Sequence, residues 1–466
     1  MSKFEVPDGW SVQAFQFALD CTPEQAACVR RQFGGRRYAR NWAVRTLKAD
    51  IDAYRSTDVE TDKPSFFGMR ARWNTVKQTE CVDEETGEVW WPEISKEAFA
   101  DGIRAAVDGY WNWQQSRSGK RTGRRVGFPR FAKKGRDKDR VTFTTGAIRI
   151  EPDRRHVTLP RIGCVRVHEN TRRVERLIRA GRARILAVTV SRKGTRLIAA
   201  FRVLVTRPQK SRGFNPDSRV GVDVGVRVLA TVANDRGEIL QRVPNPRALK
   251  KALNELRHLS RRKSRRKRGS GRYIETTQQI SRLHRRVADI RLHHMHCLTT
   301  DLAKTHGEIV VECLDAAGML QQKGLTGARA RRRGLSDSAL GEPRRQLGYK
   351  TSWYGSRLTI ADRWYPSSKT CHACGRVQEI GWAEHWTCDT NNGGCGTTHQ
   401  RDDNAAINLA RYEEPITGDS VVGPVGAAVK RGADRKTRTG RAGGREARKG
   451  TGLQAGEQPR DGVRVA

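Results

Sequence analysis

No run of about 18 consecutive apolar residues occurs in this 466-residue chain, so nothing in it is expected to span a bilayer. The opening residues, MSKFEVPDGW, lack the apolar core of an export signal, which points to a cytoplasmic protein. A cysteine pairing pattern is missing as well. Of ten cysteines, Cys21, Cys28, Cys81, Cys164, Cys297 and Cys313 are scattered, and only Cys371, Cys374, Cys388 and Cys395 cluster. That distribution excludes a disulfide framework and suits a reduced compartment with one metal site. Negative charge is scarce: 50 Asp and Glu face 90 Lys and Arg, a formal net charge of +40. So basic a surface attracts polyphosphate backbones or anionic membranes, and without a spanning segment nucleic acid is the expected partner.

What is present suffices for roughly two to four domains. Val12, Ala14, Phe15 and Phe17 alternate as in a strand. Thr22 then Pro23 reads as an N-cap followed by a first helical residue. Helical spacing continues to about Trp113, with Tyr38, Trp42, Val44 and Leu47 on one expected buried face. After the basic stretch GKRTGRRVGFPRFAKKGRDKDR come three segments, RVTFTTGAIRI, RHVTLPRIGCVRV and ARILAVTVSRKGTRLIAAFRVLV. Their period-two alternation predicts an antiparallel barrel or sandwich over about 140–206. Residues 207–218 read as a linker. RVGVDVGVRVLATVANDRGEIL predicts two strands turning at Asn234–Gly237. Residues 246–306 read as a helix carrying Leu249, Leu253, Leu256 and Leu259, interrupted by the basic loop RRKSRRKRGSGR. GEIVVECL is an apolar strand, 341–366 a helix then a strand, and DDNAAINLARY a helix. Beyond Glu414 the composition cannot offset chain entropy, and 416–466 is expected to be disordered.

Three acidic positions and one cysteine cluster carry chemistry. Asp223 shares a strand face with glycines in Val220-Gly221-Val222-Asp223-Val224-Gly225; it either bonds a neighbouring backbone or holds a ligand. Glu312 ends the run Ile309-Val310-Val311 with the same two alternatives. Asp402 and Asp403 open a helix, where an acid ordinarily caps or complements the dipole. Three such carboxylates together suit a hard cation with oxygen ligands. Cys371-x2-Cys374 and Cys388-x6-Cys395 supply the four thiolates of a closed structural zinc site. The second knuckle is longer than usual, and His372, His385 and His399 stand nearby as substitutes or as hydrogen-bonded or solvent-facing side chains.

Taken together, GVDVGVRVLATV, IVVECLDAAGM, RRQLGYKTSWYGSRLTIADRWYPSSKTCHACG and RDDNAAINLA resemble TnpB, the transposon-associated RNA-guided nuclease related to compact type V CRISPR effectors. The resemblance covers about 216–410 and extends weakly to CTPEQAACVRRQFGGRRYARNWAV and GFPRFAKK. It implies an α/β multidomain chain. A RuvC-like (RNase H-like) nuclease domain would be split over 216–365 and 399–415, with a zinc ribbon for target nucleic acid at 366–398. A wedge-like β-barrel (1–20 and 140–215) with a helical recognition insertion (21–139) would precede it, and a basic tail (416–466) would follow. By the same resemblance Asp223, Glu312 and Asp402 would be catalytic and hold Mg2+, while the four cysteines hold Zn2+. Gln400 departs from the family, which often has an acid there. Expected partners are guide RNA and double- and single-stranded target DNA, met in the prokaryotic cytoplasm at the nucleoid. Arg130, Lys133, Lys134, Arg261, Arg262, Lys263, Arg265 and Arg266 are the expected nucleic-acid contacts. A compact type V effector, a guided DNA-binding protein with impaired nuclease, and a guide-independent resolvase or transposase are the competing readings.

Overall fold

Alternation over Trp10–Asp20 gives the first strand, β1, and the chain then turns into a helix at Pro23. Thr22 and Gln25 make the turn stick: Gln25 N–H donates to Thr22 Oγ1 at 3.3 Å, and Thr22 N–H donates to Gln25 Oε1 at 3.1 Å. This reciprocal pair is a capping box, with Pro23 at the position where a missing N–H costs nothing. The computed structural model describes residues 5–57, 63–144, 146–206, 213–321, 328–381 and 383–414; the expected tail, and the first half of the expected linker (207–212), lie outside them.

The first half joins helices to one sheet. Helices α1 (Pro23–Thr57), α2 (Phe66–Glu80) and α3 (Lys96–Arg117) come first. Strands β2 (Arg140–Phe143), β3 (Arg149–Ile150), β4 (His156–Leu159) and β5 (Gly163–Val167) lead to helix α4 (Arg172–Arg179). The long hairpin β6 (Ala183–Lys193) and β7 (Arg196–Thr206) completes it. The seven strands run β2-β6-β7-β1-β5-β4-β3, with antiparallel pairing throughout. The outermost strands, β2 and β3, are not paired with each other, so hydrogen bonding does not close the sheet into a ring among the described residues. Sheet and helices share one core: Phe17, Val141, Phe143 and Phe201 pack in the same cluster as Trp42, Leu47, Trp73 and Ile103. Of the four residues expected on the buried face of α1, Trp42, Val44 and Leu47 are buried, but Tyr38 is not. Its hydroxyl donates to the Glu80 carbonyl at 2.5 Å, which keeps the ring at the surface against Trp73 and Trp90.

The second half is built on a mixed sheet. Strand β8 (Asn215–Asp223) starts inside the expected linker. β9 (Val228–Asn234) and β10 (Ile239–Pro244) follow as antiparallel neighbours. Helices α5 (Ala248–Ser264) and α6 (Gly271–Thr305) are separated at the basic loop, and α6 delivers β11 (His306–Val311). Short helices α7 (Ala316–Gln321) and α8 (Ala328–Ser338), which the sequence reading lacks, precede α9 (Gly341–Tyr354) and β12 (Arg357–Ile360). The order is β10-β9-β8-β11-β12, with β8, β11 and β12 parallel. A two-stranded ribbon, β13 (His385–Thr387) and β14 (Thr398–Gln400), leads into α10 (Arg401–Ala410).

Period-two alternation decides which helix covers which face. Val220, Val222, Ile309 and Val311 pack with Leu298, Leu302 and Leu347 of α6 and α9. Val310 points the other way and packs with Leu409 of α10. Gly221 lies on that second face, and a Cβ there would come 2.1 Å from the Ala406 carbonyl oxygen and 2.2 Å from Ala410 N. Only glycine lets α10 lie that close to β8.

Candidate functional site

Asp223 is the last residue of β8, and Glu312 directly follows β11. The two strands pair in parallel with Val222 opposite Val311, so both acids emerge side by side at the same carboxyl edge. Asp402 arrives from α10, one turn before the Ala406 that rests on Gly221. Its Oδ2 would lie 3.9 Å from a Cβ built on Gly225, in the loop just beyond Asp223. All three residues are half-buried. The structure thus brings together three carboxylates separated by up to 179 residues (223 to 402).

Their electrostatics follow from crowding. Loss of solvent, then the charges of Glu312 and Asp402, push the Asp223 carboxyl well above its ordinary range. Loss of solvent also raises Glu312, against the pull of the Ser367 hydroxyl and Arg401. Asp402 is raised by loss of solvent and by Asp403, while Arg401, Arg227 and Gln400 draw it down. Like charges held together disfavour ionisation unless a cation joins them. The acids are spread more widely than the thiolates: among the described residues only the cysteine cluster places three or more metal-ligating atoms within 4.8 Å of one another.

Supporting contacts were not foreseen from sequence. Ser367 Oγ donates to Glu312 Oε1 and orients it. Gln400, the apparent departure, is the N-cap of α10: its Oε1 accepts the Asp403 N–H at 2.7 Å. Asp403 therefore does not cap the helix, as its sequence position suggested. It sits in the first turn and takes a forked ion pair from Arg242, at 3.0 and 2.5 Å. Asp402 is thereby freed from capping. Asn404 and Asn408, buried on one face of α10, clasp the chain entering the ribbon. Asn404 Nδ2 donates to the Thr370 carbonyl at 2.7 Å, and its Oδ1 accepts His372 N–H at 3.0 Å. Asn408 Nδ2 donates to the Ser367 and Thr370 carbonyls at 2.7 and 2.6 Å. Asparagine is a poor helix-interior residue, and two of them four apart were the available signal.

The four cysteines converge. Cys371 and Cys395 sulfurs are 3.6 Å apart, and those of Cys374 and Cys388 are 3.7 Å apart. Tetrahedral zinc with bonds of about 2.3 Å implies sulfur separations of about 3.8 Å, so the donors fit a structural zinc ion. Cys395, the doubtful ligand by spacing, belongs to the cluster. Burial pushes the Cys371 thiol up to about 12, whereas hydrogen bonding to Thr397 draws Cys395 down to about 6. His385 is exposed, and His372 Nδ1 lies 3.0 Å from Asn404 Oδ1. His399 is 2% exposed, with Nε2 3.1 Å from Cys371 Sγ. It stands beside the cluster as a partner of the Cys371 sulfur.

Of the basic residues expected to touch nucleic acid, Arg130, Lys133, Lys134, Arg261, Arg262 and Arg265 are exposed. Two have internal work. Lys263 lies 5.1 Å from the Tyr273 ring, and Arg266 donates to the Arg272 carbonyl and Thr276 hydroxyl, tying the basic loop to α6. No helix among the described residues is long and apolar enough to cross a membrane.

Comparison with known proteins matches residues 200–323 to the OrfB_IS605 family, described as "Probable transposase", and residues 341–409 to a Cas12f1-like TNB domain. A protein of Mycobacterium tuberculosis (strain CDC 1551 / Oshkosh), provisionally named an RNA-guided DNA endonuclease, is 68% identical over 465 residues, covering 100% of both chains. InsQ of Escherichia coli (strain K12), named likewise, is 27% identical over 377 residues, 78% of this chain and 84% of its own. The solved Cas12f1–sgRNA–target DNA complex overlaps 86% of this chain and 99% of its own at 12% identity, with a TM-score of 0.43.

Proposed function

This chain belongs to the TnpB family, and from that premise we propose that it is an RNA-guided DNA endonuclease whose RuvC-like domain hydrolyses phosphodiester bonds at Asp223, Glu312 and Asp402. The observation that carries the reading is the convergence of these three acids at one carboxyl edge, with Asp223 raised by loss of solvent and then by its two neighbours. An all-carboxylate donor set whose mutual repulsion Arg401 offsets only in part fits hard divalent cations, Mg2+ foremost, which also bind substrate phosphate. When bound, a pair of such ions supplies charge neutralisation at both the attacking and leaving oxygens.

The chain's own residues prepare that edge. Asp223 and Glu312 are fixed by strand register, and Ser367 holds Glu312 by its hydroxyl. Asp402 is set by the contact of α10 on Gly221, while Arg401 offsets part of the negative charge. The cysteine ribbon serves as a closed structural zinc module, since four thiolates leave no open coordination position.

Selection of the target falls to the guide. A +40 chain grips any duplex through phosphates, and phosphate contacts carry no sequence information. Base pairing to a bound RNA supplies the choice. The test uses the full chain, first stripped of RNA and then reconstituted with its own guide, with Mg2+ present throughout. Cutting is expected only after reconstitution, only where the guide pairs, and is expected to vanish in Asp223→Ala, Glu312→Ala and Asp402→Ala while target binding persists. Sequence-selective cutting by RNA-free protein refutes the guided reading in favour of a guide-independent resolvase.

A further inference from the structure

Trp364 is 80% exposed, the most exposed large apolar side chain among the described residues. Tryptophan is usually well buried, so an indole held in water needs a reason. The turn that carries it is firmly anchored. Trp364 N–H donates to Asp362 Oδ1 at 2.7 Å, and Asp362 N–H donates to the Tyr412 hydroxyl at 3.2 Å. Next along the chain, Tyr365 stacks edge-on against Tyr412 at 4.8 Å and donates its hydroxyl to the Asn408 carbonyl at 3.1 Å. The ring is thus presented by a braced turn.

Its position is informative. Ile360 pairs with Val311 in parallel register, and Ala361 N–H donates to the Val311 carbonyl at 2.9 Å. Residues 362–364 therefore leave the sheet at the same carboxyl edge as Glu312. Ser367, which bonds Glu312, follows Trp364 by three residues, a span of at most roughly 10 Å. Beside the ring stands a cation: the Arg363 guanidinium is 5.3 Å from the indole centroid and pairs with Asp315 at 3.1 Å. An exposed aromatic face flanked by arginine is the chemistry that holds unpaired bases, whose flat faces stack on it without regard to sequence.

We propose that Trp364, with Arg363 beside it, is a stacking platform for an unpaired nucleobase of the strand entering the carboxylate site. The proposal rests on the nuclease reading above. Stacking there holds the strand on one side of the cut, so that its phosphate is presented to Asp223, Glu312 and Asp402. The Arg363 guanidinium beside the ring and the chain's net positive charge favour a polyanionic nucleic-acid strand over an apolar protein segment.

The test has two arms. In the first, guide-loaded full-length chain, Trp364→Ala and Trp364→Phe cut target strands carrying single abasic sites around the cleavage position. Trp364→Ala is expected to slow single-turnover cutting roughly five- to a hundredfold, with guide and target binding unchanged and Trp364→Phe close to wild type. One abasic position should slow wild type but leave Trp364→Ala no slower, because the stacking partner is already gone. In the second arm, single-stranded oligonucleotide containing 5-iodouracil is irradiated with guide-free chain, and the cross-linked residue is mapped. Cross-linking at Trp364 supports the platform even if the wild-type chain cuts nothing, an outcome that would defeat the nuclease reading alone. Strictly additive abasic effects, wild-type rates in Trp364→Ala, or no cross-link within residues 361–369 would each overturn the proposal, the last assigning the exposed ring to a protein contact.

Discussion

Substituting alanine for Gly221 adds one methyl group at the point where α10 crosses β8. Its carbon would stand 2.1 Å from the Ala406 carbonyl oxygen, and ordinary contact begins at 3.4 Å, so helix and strand must separate by about 1.3 Å (3.4 less 2.1). Both close atoms, Ala406 O and Ala410 N, are backbone, so no side chain can swing aside. Overpacking of this kind costs about 1–3 kcal/mol, which for a chain of this size lowers the melting temperature by roughly 1–3 °C. The functional loss should be larger than the stability loss. Asp402 rides on α10 one turn from the clash, and misplacing a catalytic group by about 1 Å can cost about a hundredfold in rate. Single-turnover cleavage by guide-loaded Gly221→Ala should therefore fall by about two orders of magnitude, while gel-shift binding of the paired target stays near wild type. Stabilisation by Mg2+ in thermal melts should weaken in parallel. Cleavage at the wild-type rate by a folded Gly221→Ala protein would show that the α10 contact does not set Asp402.

Asp223→Asn should stabilise the divalent-free chain. A carboxyl raised in the folded state keeps its proton where the unfolded chain has lost it, so stability falls as pH climbs from about 4 through the raised value and the penalty is complete above it. Thermal melts without divalent ions should show the variant more stable at pH 7 by about 0.5–2 kcal/mol, with the difference closing in acid; equal melting across the range would refute the repulsive site. Elemental analysis should find about one zinc per chain, and Cys371→Ser should lose it and melt earlier. Zinc-free wild type of unchanged stability would end the structural-zinc assignment. Asn404→Ala leaves His372 N–H without its partner and the Thr370 carbonyl with Asn408 alone, at a cost of about 1–3 kcal/mol. It should cut more slowly while keeping its zinc; an unchanged rate would release the asparagine clasp from any role in placing Asp402.

The strands that carry Asp223 and Glu312 could be read from sequence because buried parallel strands show as apolar runs, and an acid at the end of such a run stands out. The cysteines were legible for a similar reason: their spacing is local. Contacts that depend on two distant segments were not legible. Ser367 sits in an ordinary Pro-Ser-Ser turn, and nothing nearby announces that its hydroxyl meets Glu312, 55 residues away. Asp403 and Gln400 exchanged the roles that local propensity suggests, because Arg242 on the neighbouring strand claims Asp403 and leaves the cap to the glutamine. Lys350 looks like one more surface cation, yet it is buried against the Thr299 and Thr300 hydroxyls at 2.6 and 2.8 Å. Loss of solvent draws it down to about 8. The seven-stranded sheet shares its core with α1–α3, a contact between distant segments that neither alternation nor helical spacing announces.

The asparagine clasp has a consequence for the ribbon as a module. Thr370 and Asn404 are 34 residues apart in sequence yet joined by a 2.7 Å hydrogen bond. A flexible tether of that length would leave its ends roughly 30 Å apart on average. The thiolate cluster and the clasp together short-circuit this excursion, so Asp402 is delivered at a fixed place and not at the low effective concentration of a loose arm. Closing a longer excursion costs little more, about 0.6 kcal/mol for each doubling of length. The carboxylate edge therefore constrains where the ribbon's ends meet, and only weakly constrains what lies between them. That middle is free to be enlarged, shortened or reshaped while the three acids stay where they are.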